Sequence, residues 1–108
     1  MLATMLQLPT TVRMNEVPAV WDSLRASLRA EAVQAKNAAS HEVHMGAGEL
    51  QQFDSAALTL LLSAARLCAA EAVQLRLHEL PPKLQELGRV YGVAELLWPE
   101  LLQPASAA

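Results

Sequence analysis

The neighbouring carboxylate and hydroxyl of Asp54 and Ser55 are the side chains with the clearest chemical use in this chain. They stand directly before an apolar run, Ala56 to Ala70, where a helix is expected to begin. A side-chain oxygen at such a position accepts a hydrogen bond from one of the first helical N–H groups. The spacing of the few polar residues in the run puts them on one helical face: Thr59, Ser63 and Arg66. The pattern predicts a core helix whose start and polar edge are accessible to another molecule.

Other reactive side chains offer weaker possibilities. His41 and His44 have a spacing that could suit a metal, but no second cysteine or acidic pair completes a tetrahedral site, so we predict solvated histidines. Cys68 lies inside the apolar run, which predicts a buried, reduced thiol. Ser55 is not in a G-x-S-x-G turn, and the chain has no phosphate-binding glycine loop. We therefore predict no enzymatic activity, no metal and no cofactor.

Composition narrows the class of protein further. The chain has 108 residues, of which 53% are hydrophobic and 18% are charged, values typical of one compact domain. We assign residues 1–102 to that domain and 103–108 to a disordered tail. A net charge of -3 without any basic cluster argues against nucleic-acid binding. The longest apolar run is too short to insert in a membrane and no signal pattern is present, so we predict a cytoplasmic location.

Hydrophobic periodicity predicts three strands that alternate with helices. The strands are Ala3 to Leu8, Glu42 to Gly46 and Val73 to His78, each with side chains that alternate between apolar and polar. The first helix is expected to be capped by Asn15, to carry Pro18 in its first turn and to end near Lys36; Thr10 to Met14 is interpreted as a connection. The third helix runs from Lys83 to Tyr91 and is followed by Gly92 at its C-terminal end. A last apolar segment should close the core with Leu96, Leu97, Trp98, Leu101 and Leu102.

This alternation predicts an α/β fold with a mixed or mostly parallel sheet. Strands covered on both faces read as continuous apolar runs, and these do not. We therefore expect the helices to pack mainly on one face of the sheet. On that interpretation, the side chains of Gln74, Arg76 and His78 are more exposed than those of Val73, Leu75 and Leu77.

The order of these motifs resembles the STAS domain family, over a stretch from about Leu6 to Leu102. Five features in succession carry the resemblance. They are a short strand, then the motif Phe53-Asp54-Ser55-Ala56-Ala57-Leu58, then the long apolar helix, then the segment Val73-Gln74-Leu75-Arg76-Leu77, and finally a helix that ends in Tyr91-Gly92. Two features depart from the family pattern: alanines replace the glycine that usually follows the hydroxyl residue, and the chain looks one strand short of the usual opening hairpin. Within the family the chain is most similar to the MlaB type, through Pro18-Ala19-Val20-Trp21, Leu58-Thr59-Leu60-Leu61-Leu62 and Val90-Tyr91-Gly92-Val93.

The resemblance implies a non-catalytic subunit that binds the MlaF-like ATPase subunit of a phospholipid-transporting ABC complex. Through that complex it would meet the membrane permease indirectly, lie at the inner membrane and support outer-membrane lipid asymmetry. The residues that would bind the partner are Asp54, Ser55, Ala56, Thr59 and Ser63. Two alternatives stay open: an anti-sigma-factor antagonist switched by phosphorylation of Ser55, and a binding module for a small apolar ligand.

Overall fold

The computed structural model describes residues 6–39 and 41–98. Its elements in chain order are β1 (Leu6–Gln7), β2 (Thr11–Val12), α1 (Val17–Lys36), β3 (Glu42–Gly46), β4 (Gln52–Phe53), α2 (Ala56–Ala70), β5 (Gln74–His78), α3 (Pro82–Val90) and α4 (Ala94–Leu97). The predicted α/β class is confirmed, and β3 and α2 have the predicted bounds. No helix in these two ranges combines the length and the apolar character needed to cross a bilayer.

The strand pairs formed by the described residues are all parallel. The main sheet has the order β1-β3-β5, and a second, two-stranded sheet pairs β2 with β4. The sequence pattern does not predict the two-stranded sheet and indicates only a connection at residues 10–14, because strands of two residues are too short to show a period. Of the predicted first strand, Leu6 and Gln7 form β1 and Leu8 extends it through a bond from its N–H to the Gly46 carbonyl at 2.9 Å. Ala3 to Met5 lie outside the described residues.

The register of β3 and β5 gives the sheet an apolar face and a polar face. Val43 lies beside Leu75 and Met45 beside Leu77, and α1 and α2 pack on these two strands. The opposite face carries the side chains of Glu42, His44, Arg76 and His78, because successive residues of a strand point to opposite sides.

The expected difference in exposure along β5 is found only at its beginning. Val73 is buried and Gln74 is exposed, but the four residues that follow are all partly buried. The prediction was therefore wrong for Arg76 and His78. Their side chains contact those of β3 instead of extending into water, and β5 lies at the edge of the sheet, where its apolar side chains are covered less completely.

Helix α1 begins differently from the prediction. Glu16, and not Asn15, occupies the N-cap position, and no side chain there caps the helix. The Glu16 carboxylate instead accepts a hydrogen bond from the Arg13 N–H at 2.9 Å, which closes the turn before the helix. Pro18 lies in the first turn as predicted, where its missing N–H has no helical acceptor to lose.

Helices α2 and α3 end in the same backbone motif with different residues. Gly92 follows α3 with a φ of 74°, as predicted, and Ala72 follows α2 with a φ of 61°. After α2 the N–H of Val73 donates to the Cys68 carbonyl and the N–H of Ala72 donates to the Ala69 carbonyl, both at 2.9 Å. An alanine in this left-handed conformation costs roughly 1–2 kcal/mol, so the ending of α2 depends on the packing around it.

The last turn of the described chain closes the core with two of the five predicted side chains. Leu97 and Trp98 are almost fully buried, whereas Leu96 is 70% exposed, which contradicts the prediction for that residue. Leu101 and Leu102 lie outside the described residues. Trp98 packs so closely on α3 that a Cβ added at Gly88 would lie 2.6 Å from the indole Cη2.

Candidate partner-binding surface

Asp54 joins the starts of α1 and α2. Its Oδ1 accepts a hydrogen bond from the Ala56 N–H at 2.9 Å, and its Oδ2 accepts one from the Met14 N–H at 3.1 Å. The second bond is possible because β2 pairs with β4, which places the segment before α1 beside the segment before α2. The prediction that Asp54 holds the start of α2 is confirmed, and its link to Met14 adds a contact that the sequence did not indicate.

Ser55 occupies the N-cap position of α2 but does not cap it. Its φ and ψ are -62° and -16°, which are helical values, and its side chain makes no capping hydrogen bond. An N-cap side chain would accept from the N–H of Ala57 or Leu58, but these groups already donate to the Asp54 and Ser55 carbonyls, both at 3.0 Å, so the helix does not need the Ser55 hydroxyl. The side chain is partly buried and lines a surface groove.

The Ser55 groove is an open, mainly apolar cleft of about 450 Å³. It is formed by the start of α1, one side of α2 and the segment after α3: Met14, Val17, Pro18, Ser55, Ala56, Leu58, Thr59, Leu62, Tyr91 and Val93. Three predicted site residues, Ser55, Ala56 and Thr59, therefore line the groove. Asp54 does not line it but bonds to the N–H of Ala56, which does. Met14 is 72% exposed and Tyr91 is 59% exposed, so two large side chains border the groove without being packed into the core.

Ser63, the fifth predicted site residue, lines a second cleft further along α2. This arginine cleft, of about 400 Å³, lies between α1 and α2 and is lined by Trp21, Arg25, Arg29, Ser63, Arg66, Leu67, Ala70 and Glu71. Thr59 and Ser63 are one helical turn apart, so the two clefts follow each other along the same side of α2. The buried side of α2 is the opposite one, formed by Ala57, Leu60, Leu61, Ala64 and Cys68.

Sequence reasoning missed several residues of this surface. Met14 is interpreted there as part of a connection, and Tyr91 only as the end of a helix and part of the family resemblance; the exposure of both side chains is known only from the structure. The sequence pattern does not group the three arginines, because Arg66 is far from Arg25 and Arg29 along the chain. The spacing of four between Arg25 and Arg29 was a signal in the sequence. That both line the same cleft as Arg66 follows only from the packing of α1 on α2.

The polar face of the sheet carries a separate cluster of side chains. His44 Nδ1 lies 2.7 Å from His78 Nε2, and the two rings stack with their centroids 4.9 Å apart. The Glu42 carboxylate contacts two of these side chains. Its Oε1 lies 3.4 Å from His44 Nε2, and its Oε2 lies 3.0 Å from Arg76 Nε. The histidine that contacts His44 is therefore His78 and not His41. The prediction of a solvated side chain was wrong for His44, which is partly buried. Within the described ranges, no group of three or more His, Cys, Asp or Glu side chains has the arrangement of a metal site.

Cys68 is fully buried on the inner side of α2, as predicted. Burial raises the pKa of its thiol from 9.0 to about 11. A thiol in that environment stays protonated at neutral pH and is a poor nucleophile. The Ser55 groove has no histidine in its lining, so the hydroxyl has no neighbouring imidazole base there.

Comparison with known proteins identifies the family. No curated protein matches the chain. A family model described as the MlaB STAS domain matches residues 3–103, which is nearly the whole chain and includes both clefts. The parallel sheet, the Asp-Ser pair at the start of the second long helix and this match agree, and the chain belongs to the STAS domain family, among its MlaB-like members.

Proposed function

We propose that this protein is a non-catalytic subunit that binds the cytoplasmic ATPase subunit of a phospholipid-transporting ABC complex and supports its assembly and activity. STAS domains are regulatory and assembly modules and are generally not catalytic. The proposal adds the partner: an MlaF-like ATPase, and through it the membrane permease. In this role the protein lies at the cytoplasmic side of the inner membrane and contributes to outer-membrane lipid asymmetry.

The observation that carries the proposal is the Ser55 groove. It combines a hydroxyl that the helix does not use with apolar walls and two exposed large side chains, Met14 and Tyr91. Protein interfaces commonly have this composition, with an apolar centre, an aromatic residue and few hydrogen-bonding groups. Asp54 accepts hydrogen bonds from Met14 and Ala56, which links the starts of the two helices that form the walls of the groove.

The proposed contact predicts how substitutions at Ser55 affect affinity for the ATPase subunit. Ser55→Ala removes one hydrogen bond and is expected to cost about 1 kcal/mol, or roughly fivefold in Kd. Ser55→Glu places an uncompensated charge in an apolar contact and is expected to weaken binding by roughly a hundredfold or more. The assay is biolayer interferometry with the purified ATPase subunit, together with the ATPase rate of the complex.

The matched control is Ala39→Glu. Ala39 is exposed and follows the C-terminal end of α1, which is a helix of 20 residues and so roughly 30 Å long. Ser55 lies near the other end of that helix, so the control adds the same charge far from the groove. Equal affinities for Ser55→Glu and the control would contradict the proposed contact.

Intact-mass spectrometry of the protein from its native cells tests the alternative. An unmodified Ser55 and specific binding to the ATPase subunit support the proposal. A phosphate on Ser55, together with binding to a serine kinase and not to the ATPase, would instead identify an antagonist of an anti-sigma factor.

A further inference from the structure

We infer that the arginine cleft between α1 and α2 binds carboxylate side chains of an acidic segment in the same protein partner that occupies the Ser55 groove. This inference rests on the proposed function and adds the chemistry of the second half of the interface. Positive charge is concentrated at this cleft. The chain has 11 acidic and 8 basic residues, yet three of its eight cations, Arg25, Arg29 and Arg66, line one cleft.

These three arginines have no carboxylate partner among residues 6–39 and 41–98. Among the described residues, Glu71 is the one acidic side chain in the lining of the cleft, and its Oε1 lies 3.9 Å from the Nζ of Lys36. Arg25 and Arg29 are four residues apart on α1, a spacing at which like charges destabilise a helix by a few tenths of a kcal/mol. The isolated domain therefore keeps a small electrostatic cost that a bound anion would remove.

Guanidinium groups favour a carboxylate ligand. Each presents a planar fork of N–H donors that can hold both oxygens of one carboxylate, and such charge-assisted bonds are stronger than neutral ones. The Ser63 hydroxyl, on the same wall as Arg66, can donate a further hydrogen bond. A cleft with three such forks can hold two neighbouring acidic side chains.

The position of the cleft favours a protein segment over a lipid headgroup. Ser55 and Arg66 are eleven residues apart on one helix, which corresponds to roughly 16 Å, a distance that a short helix or strand of a partner can span. The cleft follows the Ser55 groove along the same side of α2, so one partner surface can occupy both.

The first test measures affinity for the purified ATPase subunit at 50 and 500 mM NaCl. The double variant Arg29→Ala/Arg66→Ala is expected to weaken binding roughly 30-fold at low salt and much less at high salt, because salt screens exposed charges. The control is Lys83→Ala/Arg89→Ala, which removes the same charge from exposed positions on α3 and should change Kd less than roughly threefold. The substituted arginines are exposed, so both variants should fold, as circular dichroism can show.

The second test identifies the ligand atoms. Arg29→Lys and Arg66→Lys each put an amine in the cleft, and a carbodiimide couples amines to carboxylates with which they are in contact. Mass spectrometry of the treated complex should find cross-links from positions 29 and 66 to Asp or Glu residues of the ATPase subunit, and none from Lys83. Cross-links that join these positions only to this chain would overturn the inference.

The results separate the two proposals. Normal binding of the wild type combined with normal binding of the double variant overturns the inference and leaves the proposed function standing. Failure of the wild type to bind the ATPase subunit overturns both. Vesicles of phosphatidylglycerol and phosphatidylethanolamine complete the test: sedimentation of the wild type, but not of the double variant, with these vesicles would assign the cleft to lipid and overturn the inference.

Discussion

Asp54 and Ser55 are adjacent, but the structure assigns them different tasks, and substitution of each should separate these tasks. Asp54→Ala removes the hydrogen bonds to the N–H groups of Ala56 and Met14. Loss of the cap costs about 1 kcal/mol, and loss of the second bond to a charged acceptor near the surface adds a comparable amount. The expected decrease in the free energy of unfolding is about 2 kcal/mol. Ser55→Ala removes no capping bond and should change that free energy by less than about 0.5 kcal/mol.

Urea unfolding followed by tryptophan fluorescence measures both variants in one assay, and a thermal melt gives Tm. For a domain of this size, a change of about 2 kcal/mol lowers Tm by roughly 10 °C, which is well outside experimental error. Asp54→Asn is the informative intermediate, since its single carbonyl oxygen can replace only one of the two carboxylate acceptors. It should fall between the wild type and Asp54→Ala.

Substitutions at Ser55 should affect binding to the ATPase subunit more than they affect stability. Ser55→Glu is expected to lose binding while its Tm stays close to that of the wild type, because its side chain is at the surface of the groove. A decrease in stability for Ser55→Ala as large as that for Asp54→Ala would refute the reasoning. It would mean that the hydroxyl is structural and that the accessible group in the groove is a different one.

Two further substitutions test the core. Gly88→Ala should lower the free energy of unfolding by about 1–3 kcal/mol despite the better helix propensity of alanine, since its Cβ would overlap the buried indole of Trp98. The control is Gly48→Ala, which should cost much less because its new Cβ would meet only the flexible Glu79 side chain. Equal stabilities of the two variants would contradict this packing. The raised pKa of Cys68 predicts that stability is fully present below pH 9 and decreases by about 2–3 kcal/mol as pH rises to 11, because only the unfolded thiol ionises in that interval. Denaturant titrations at a series of pH values should show a flatter profile for Cys68→Ala, which has no thiol to ionise, and an unchanged profile would exclude Cys68 as the cause.

The predicted and observed elements agree where the pattern is long and local. The apolar run locates a helix of 15 residues to the residue, and five alternating residues locate β3. Some errors occur at short or irregular segments: the cap of α1, the strands β2 and β4, and the exposed Leu96. The exposure of Arg76 and His78 was also predicted wrongly, because it depends on contacts with the side chains of β3. A cap or a two-residue strand is defined by its partner in space, and no period of 2 or 3.6 residues can develop over two positions.

Thr59 and Ser63 share a face of α2 because of the helical repeat alone, so their common face could be predicted from spacing. The two clefts needed the tertiary structure. Pairing of β2 with β4 brings Met14 to Asp54, 40 positions away in the chain, and packing of α1 on α2 brings Arg29 and Arg66 into the lining of one cleft. Distances within one helix follow from the geometry of its own backbone, whereas distances between elements depend on how their apolar faces pack, and that information is spread over the whole core.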